Sequence, residues 1–373
     1  MSRPPAILQV LPALVSGGVE RGTVEIAEAI VAAGWRAIVA SAGGPMVADL
    51  LRVGATHVTL PLDTKNPLAM WRNAGRLAAL AREEEVAIIH ARSRAPAWSA
   101  LAAARRSGAH FVTTYHGTYN AGLPGKRLYN SVMARGERVI AISRFIAEHV
   151  VATHGTDAAR IRLIPRGVDP RRFDPSAVAP ARVAALREAW GATPGTPVIL
   201  LPGRMTRWKG QAVLVAALAA LPDAIGVLAG GGKPDFAEEL RQLAARLGVA
   251  ERLRILGHVD DLAAALLAAD VVVHASIEAE AFGRTVIEAQ AMARPVVAAD
   301  LGGPRETVEE GVTGWRVAPG DAAALAATLS RVLAMPEPAR AAIGQAARAA
   351  VLRNTSTAAM QAATIAVYRE LLP

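Results

Sequence analysis

Short Val/Ile/Leu runs recur along this chain between Ala-rich stretches of helical spacing, and this alternation restricts the fold more than any other feature. Strands apolar on both faces belong in parallel sheets covered by helices on each side. In the first half the strand-like runs are Ala6 to Leu11, Ala37 to Ala40, His57 to Leu60, Ala87 to His90, His110 to Tyr115, Arg138 to Ile142 and Ile161 to Ile164. Helices Glu20 to Ala33 and Pro67 to Glu84 fall between them. A Pro- and Arg-rich passage, Pro165 to Pro180, breaks the rhythm, and Pro194-Gly195-Thr196-Pro197 repeats the punctuation. A second series follows through Val198 to Pro202, Ile225 to Ala229, Leu253 to Leu256, Val271 to Ala275, Pro295 to Ala298 and Gly314 to Val317. Its helices are Gln211 to Ala220, Asp235 to Leu247, Leu262 to Ala268, Arg284 to Ala293 and Pro304 to Glu309.

The pattern predicts an α/β chain of two Rossmann-like domains joined by a linker within 165–197. With 373 residues, 52% hydrophobic, there is material for two cores. Two such domains place the carboxyl ends of both sheets at a shared cleft, where open α/β sheets bind ligands. No apolar run reaches the roughly 18 residues that a membrane-spanning helix needs. The run Ala6 to Val15 loosely resembles a signal-peptide core, but Gln9 and Pro12 interrupt it and Ser16-Gly17-Gly18 leads into a helical pattern. A buried first strand is expected there, with the chain beginning as it functions. The absence of cysteine excludes disulfides, a thiol nucleophile and thiolate metal sites, and fits a reducing cytosol.

Residues 1–180 hold 22 Lys/Arg against 13 Asp/Glu, and the remainder 19 against 19, so the whole +9 excess lies in the first half. Within it, residues 92–144 carry Arg92, Arg94, Arg105, Arg106, Lys126, Arg127, Arg135, Arg138 and Arg144 against Glu137 alone. Such a block attracts phosphates or an anionic membrane face, or is simply a solvated basic surface. Nucleic acid is disfavoured, because few stackable aromatics interleave with the charges.

Candidate site residues follow strand ends. Gly17-Gly18-Val19-Glu20 opens the first helix, where free N–H groups and the helix dipole suit a phosphate, although a plain tight turn accounts for it equally. It is not a dinucleotide fingerprint, and Gly230-Gly231-Gly232-Lys233 fails as a P-loop. In Gly203 to Gly210, Arg204 offers a planar fork of donors and Lys209 a point charge, a pair suited to gripping a diphosphate without metal. Glu280 and Glu288 bracket a helix start. Gly283 places Glu280 in the preceding loop, where it can face sugar hydroxyls, and Glu288 in the helix, where it can accept from ribose. Amides from Phe282 through Gly283 and Arg284 to Thr285 add donors. His116 ends a strand and is followed by glycine. No metal-ligand spacing and no Asp-x-Asp occurs, so the chemistry reads as metal-independent.

In this order the motifs resemble the retaining GT-B glycosyltransferases of family 4, also called group 1. The carriers are Gly17 to Glu20, His116-Gly117, Ile164-Pro165-Arg166-Gly167-Val168-Asp169, Gly203-Arg204 with Lys209-Gly210, Gly257-His258-Val259-Asp260, Glu280 with Glu288, and Gly302-Gly303-Pro304-Arg305-Glu306. The resemblance spans almost the whole chain and departs at Arg166, where Asn is common, and at Arg294, where Gly is common.

The resemblance implies transfer of a sugar from a nucleotide-sugar, UDP-linked as first choice and GDP-linked as second, without a further cofactor. Arg204 and Lys209 then hold the diphosphate, Gly17 and Gly18 support it, Glu288 binds ribose, Glu280 binds the sugar, His116 lies beside the reacting carbon and Val259 meets the base. It also implies an acceptor domain at 1–177, a donor domain at 178–354, a final helix 355–373 packing back on the first, and closure about the linker. The basic block then points to an anionic or membrane-associated acceptor, such as a phosphorylated lipid or lipopolysaccharide core, met through Arg94, Arg105, Arg106, Tyr119, Lys126, Arg127 and Arg144. The segment from His116 through Asn120 to Arg144 is similar to lipopolysaccharide-type members, which implies a peripheral position on the inner face of the cytoplasmic membrane. The rivals are a GT-B sugar-nucleotide epimerase, a Rossmann dehydrogenase and a non-enzymatic basic module that binds polyanions.

Overall fold

The computed structural model describes residues 3–15, 17–119, 122 and 125–372. Ser16 and Asn120, named in two of the motifs above, lie outside them. The chain forms two units, one of residues 1–166 with 357–373 and the other of residues 167–356.

Seven strands make the sheet of the first unit: β1 (Ala6–Val10), β2 (Arg36–Ser41), β3 (Thr56–Thr59), β4 (Val86–Ala91), β5 (His110–Tyr115), β6 (Arg138–Ala141) and β7 (Ile161–Leu163). Their order is β3-β2-β1-β4-β5-β6-β7. Every pairing is parallel. All five residues of β1 are buried, so the apolar run at 6–10 is core strand. Ile7, Ile88, Val112 and Ile140 from four strands meet Ile26 and Ile30 of the helix Gly18–Ala32 in one apolar cluster.

The helix Thr357–Arg369 belongs to this unit and puts Met360, Ile365 and Tyr368 into the same cluster. Its polar side is fixed as firmly. Tyr368 Oη is 2.6 Å from His90 Nδ1, whose Nε2 is 2.7 Å from Thr114 Oγ1. Glu370 takes Arg138 Nε and Arg162 Nη2 at 2.6 Å each.

In the second unit six strands follow: β8 (Val198–Pro202), β9 (Ile225–Ala229), β10 (Leu253–Ile255), β11 (Val271–His274), β12 (Val296–Ala299) and β13 (Trp315–Val317). Their order is β10-β9-β8-β11-β12-β13, again parallel throughout. Two sequence readings shift. The segment read as helix Pro304 to Glu309 is a 3₁₀ turn, Gly303–Glu306, because the Gly303 amide donates to Glu280 O at 2.8 Å. The unit boundary falls at Arg166–Gly167 ahead of 177–178, since Val168 bridges to Ser356 and its amide donates to Thr355 O at 2.8 Å.

Candidate functional site

Strand order decides which loops meet. β8 and β11 are neighbours although β9 and β10 separate them in sequence, so the chain winds away from β8 in one direction and resumes beside it in the other. Ligands of open parallel sheets bind at the carboxyl ends of such a pair. Residues 203–210 leave β8 there and residues 275–283 leave β11.

The two segments are stitched together through glycines. Gly210 has φ +72°, and a Cβ on it would lie 1.8 Å from Ala275 O. The Ile277 amide donates to Trp208 O at 2.8 Å. On the other flank, a Cβ on Gly230 would lie 2.0 Å from Gly203 O, while the Gly203 amide donates to Ala229 O at 2.8 Å. Gly230 and Gly232, of the run that failed as a P-loop, thus serve close packing against Gly203 and Met205.

On this frame Lys209 Nζ lies 2.6 Å from Glu280 Oε2 and 4.4 Å from the centre of the Trp208 ring. His274 Nε2 also lies 2.6 Å from that oxygen, and Ser276 Oγ 3.4 Å from it. Burial opposes ionisation of Glu280. The hydrogen bond and charge of His274, with those of Lys209, outweigh it and hold the carboxyl at about 2. Oε1 of Glu280 has no hydrogen bond among the described residues. The Glu280 backbone is pinned by its bridge to Gly302.

The three cations of the β8 loop differ in use. Arg207 is spent on Glu239, whose two oxygens lie 2.5 and 2.7 Å from its Nη2. Arg204 is exposed and has no ion pair among the described residues. Lys209 faces Glu280.

Gly283, at φ +83°, caps the helix Arg284–Ala291, so Glu280 stands in the loop and Glu288 in the helix, as Gly283 predicts. Glu288 is buried and 3.5 Å from Arg284 Nε. Phe282 is buried, Thr285 half-buried, and Val259 half-buried in a loop whose His258 and Asp260 are exposed. His274 and Ser276 were not singled out in the sequence. Among the described residues no group of three or more His, Cys, Asp or Glu is placed to hold a metal ion.

In the first unit, Gly17 (φ +136°) precedes the helix Gly18–Ala32. Arg166, at the position where the resemblance expects Asn, donates through its guanidinium to Gly18 O. A Cβ on Gly22 would lie 2.5 Å from that guanidinium, so Gly22 makes room for it. His116 follows β5, and its Nε2 is buried without a partner. Burial, then the charges of Arg166, Arg92 and His90, holds its pKa well below the usual histidine range. Both effects favour the neutral imidazole, the form suited to hydrogen bonding.

The basic block of 92–144 does not form one face. Arg92 is 2% exposed, and Arg138 is committed to Glu370. Arg94 donates to Asn130 Oδ1 at 2.9 Å and stacks 4.0 Å from the Tyr119 ring centre. Arg127 donates to Thr153 O, with Nη2 at 2.6 Å. Arg105 and Arg106 are exposed in the last turn of the helix Arg94–Ser107, where their charge also complements the helix dipole. Arg144 is exposed and Lys126 half-buried.

Comparison with known proteins accounts for both units. The family model described as glycosyl transferases group 1 matches residues 183–350, and that of glycosyltransferase family 4 matches 16–172. A crystal structure of a glycosyltransferase from Rickettsia africae is 37% identical over 100% of this chain and 99% of that one, with a TM-score of 0.90. HepE of Anabaena, crystallised with UDP-glucose, is 25% identical over 98% of this chain and 99% of its own, with a TM-score of 0.83. D-inositol 3-phosphate glycosyltransferase of Xylanimonas cellulosilytica is 37% identical across 60% of this chain and 54% of its own. The match thus spans about half the length of such curated relatives. WaaG, a glycosyltransferase involved in lipopolysaccharide biosynthesis, shares the fold at 19% identity over 96% of this chain and 99% of its own, with a TM-score of 0.75.

Proposed function

Because the chain belongs to the group 1, family 4 glycosyltransferases of GT-B fold, we propose that it transfers a sugar from a nucleotide-sugar donor to an acceptor, with retention at the anomeric carbon and without a metal ion. The observation that carries this reading is the convergence on Glu280. Lys209, His274 and Ser276 meet on one carboxylate oxygen, the other makes no hydrogen bond among the described residues, and Arg204 is exposed in the same loop as Lys209. An ionised carboxylate with one free oxygen suits sugar hydroxyls, and a lysine with an arginine suits the diphosphate. Departure of a nucleoside diphosphate builds negative charge, which fixed cations stabilise more in the transition state than in the ground state. Glu288 is assigned to ribose, Val259 to the base, and the amides of Phe282 to Thr285 to donor oxygens. Gly17, Gly18 and His116 are assigned to the donor and reacting carbon from the first unit. Retention rests on the family resemblance.

The test is calorimetric titration of UDP, GDP, ADP and NAD in EDTA. One nucleoside diphosphate is expected to bind without metal, UDP first. Binding of NAD alone, or of none, overturns the reading. Net sugar transfer to an acceptor separates a transferase from an epimerase.

For the acceptor we propose an anionic or membrane-associated glycan or lipid, reached through Arg105, Arg106, Lys126 and Arg127, with Arg94, Tyr119 and Arg144 nearby in sequence. On this reading the enzyme works peripherally on the inner face of the cytoplasmic membrane. No described helix is long and apolar enough to cross a membrane. D-inositol 3-phosphate, for which curated relatives are named, is a first compound to assay beside lipid acceptors. Charge reversal at Arg105 and Arg106 is expected to raise acceptor KM and weaken sedimentation with phosphatidylglycerol vesicles, with diphosphate affinity unchanged. Unaltered KM and vesicle binding discard the anionic acceptor.

A further inference from the structure

Three donors meet on one oxygen of Glu280, and one of them is a buried histidine. His274 is 5% exposed at the end of β11, and its Nδ1 is buried without a partner. His90 differs, with both ring nitrogens partnered through Tyr368 and Thr114. His274 directs Nε2 at a carboxylate that already has a lysine 2.6 Å away, and its other nitrogen has no partner among the described residues. Ser276 Oγ, 3.2 Å from His274 Nε2 and 3.4 Å from Glu280 Oε2, closes the group.

A second and third donor on that oxygen matter when the first departs. We infer that His274, aided by Ser276, is a positioning residue that keeps the Glu280 carboxylate aimed while Lys209 turns from it to the donor's diphosphate. This rests on the proposed reading of Lys209 as a diphosphate ligand. An arriving diphosphate competes with Glu280 for the Lys209 ammonium. Losing a partner exposes a part-buried carboxylate to the cost of an unpaired charge. With His274 Nε2–H and Ser276 Oγ–H still donating, that cost is met in advance, and Oε1 keeps its orientation toward the sugar. His274 enters the exchange through its contact with Glu280 Oε2. It acts only through Glu280.

A double-mutant cycle isolates that dependence, because a residue acting through Glu280 loses its effect once the carboxylate is removed. The dissociation constant of whichever of UDP, GDP and ADP the wild type binds is measured in EDTA for His274→Ala, Glu280→Gln, the double variant and His274→Gln. His274→Ala is expected to weaken binding about tenfold in the wild-type background and less than twofold in the Glu280→Gln background. His274→Gln, which retains an N–H donor, restores most of the loss. Equal weakening in both backgrounds makes His274 merely structural and overturns the inference, as does no weakening in either. Failure of the wild type to bind any of the three nucleotides instead overturns the diphosphate reading beneath it. Should His274→Ala fail to fold, Ser276→Ala carries the same cycle with a smaller effect of the same sign, and its absence is equally decisive.

Discussion

Alanine at Lys209 or at Arg204 is expected to lower the transfer rate by about 10² to 10³, the range seen when a fixed group that stabilises developing charge is removed. The two cations act differently. Lys209 is half-buried between the Trp208 ring and Glu280, so its charge is already held at the site and needs no reorganisation beyond exchange of partner. Arg204 is exposed and follows Gly203 at the end of β8, so its fork is free to close on two phosphate oxygens. Arg204→Lys is therefore not conservative and should recover little of the loss. Arg207→Ala supplies the control. Its guanidinium is tied to Glu239, and its removal should leave the rate within about threefold of wild type, although it stands in the same loop and carries the same charge. Steady-state rates with a saturating nucleotide-sugar, read beside calorimetric diphosphate affinity, decide the matter. A Lys209→Ala enzyme at wild-type rate discards the diphosphate assignment. A loss shared equally with Arg207→Ala reduces the loop to a general electrostatic effect.

Which parts of this site were legible follows from what each inference needs. Lys209 was singled out from the loop after a predicted strand and Glu280 from its place ahead of a helix start, and the structure brings these two side chains together. Gly283 placed Glu280 ahead of the helix Arg284–Ala291 for a local reason, the φ of +83° at the helix start. His274 ends a strand just as His116 nearly does, but its meaning depends on the turn that folds Glu280 back onto it, and no spacing rule announces that turn. Charge clustering was the weakest guide. Arg92 and Arg138 lie in the sequence block yet differ in use, one buried and the other paired with Glu370 just past the last helix. Arg166 departs from the family pattern and finds a specific use against Gly18, where only the vacant Cβ position of Gly22 admits it. Proximity in sequence sets local backbone geometry; which side chains share a site depends on strand order.

Glycine makes the same distinction measurable, and Gly210→Ala should be the most damaging small substitution near the site. The residue holds φ +72°, a conformation that costs a residue with a Cβ about 1–2 kcal/mol. The new methyl would also lie 1.8 Å from Ala275 O, and the atom it meets is backbone, not the end of a flexible side chain. To relieve the overlap the segment after β11 must retreat. That strains the Ile277 amide bond to Trp208 O and separates Lys209 from Glu280. Adding the backbone strain to one lost hydrogen bond gives a destabilisation on the order of 2–4 kcal/mol, near the upper end for single substitutions. Gly231→Ala is the matched control: a Cβ there meets nothing within 4 Å, and its backbone is not in the left-handed region. In sequence Gly231 belongs to a more conspicuous glycine run than Gly210 does. Gly210→Ala should nevertheless lower the thermal midpoint of the second unit and abolish nucleotide binding, while Gly231→Ala leaves both near wild type. Hydrogen exchange at the Ile277 amide locates the damage, with faster exchange expected in Gly210→Ala alone. If both variants exchange and bind alike, the tight seam between the β8 and β11 loops is not what holds Lys209 to Glu280.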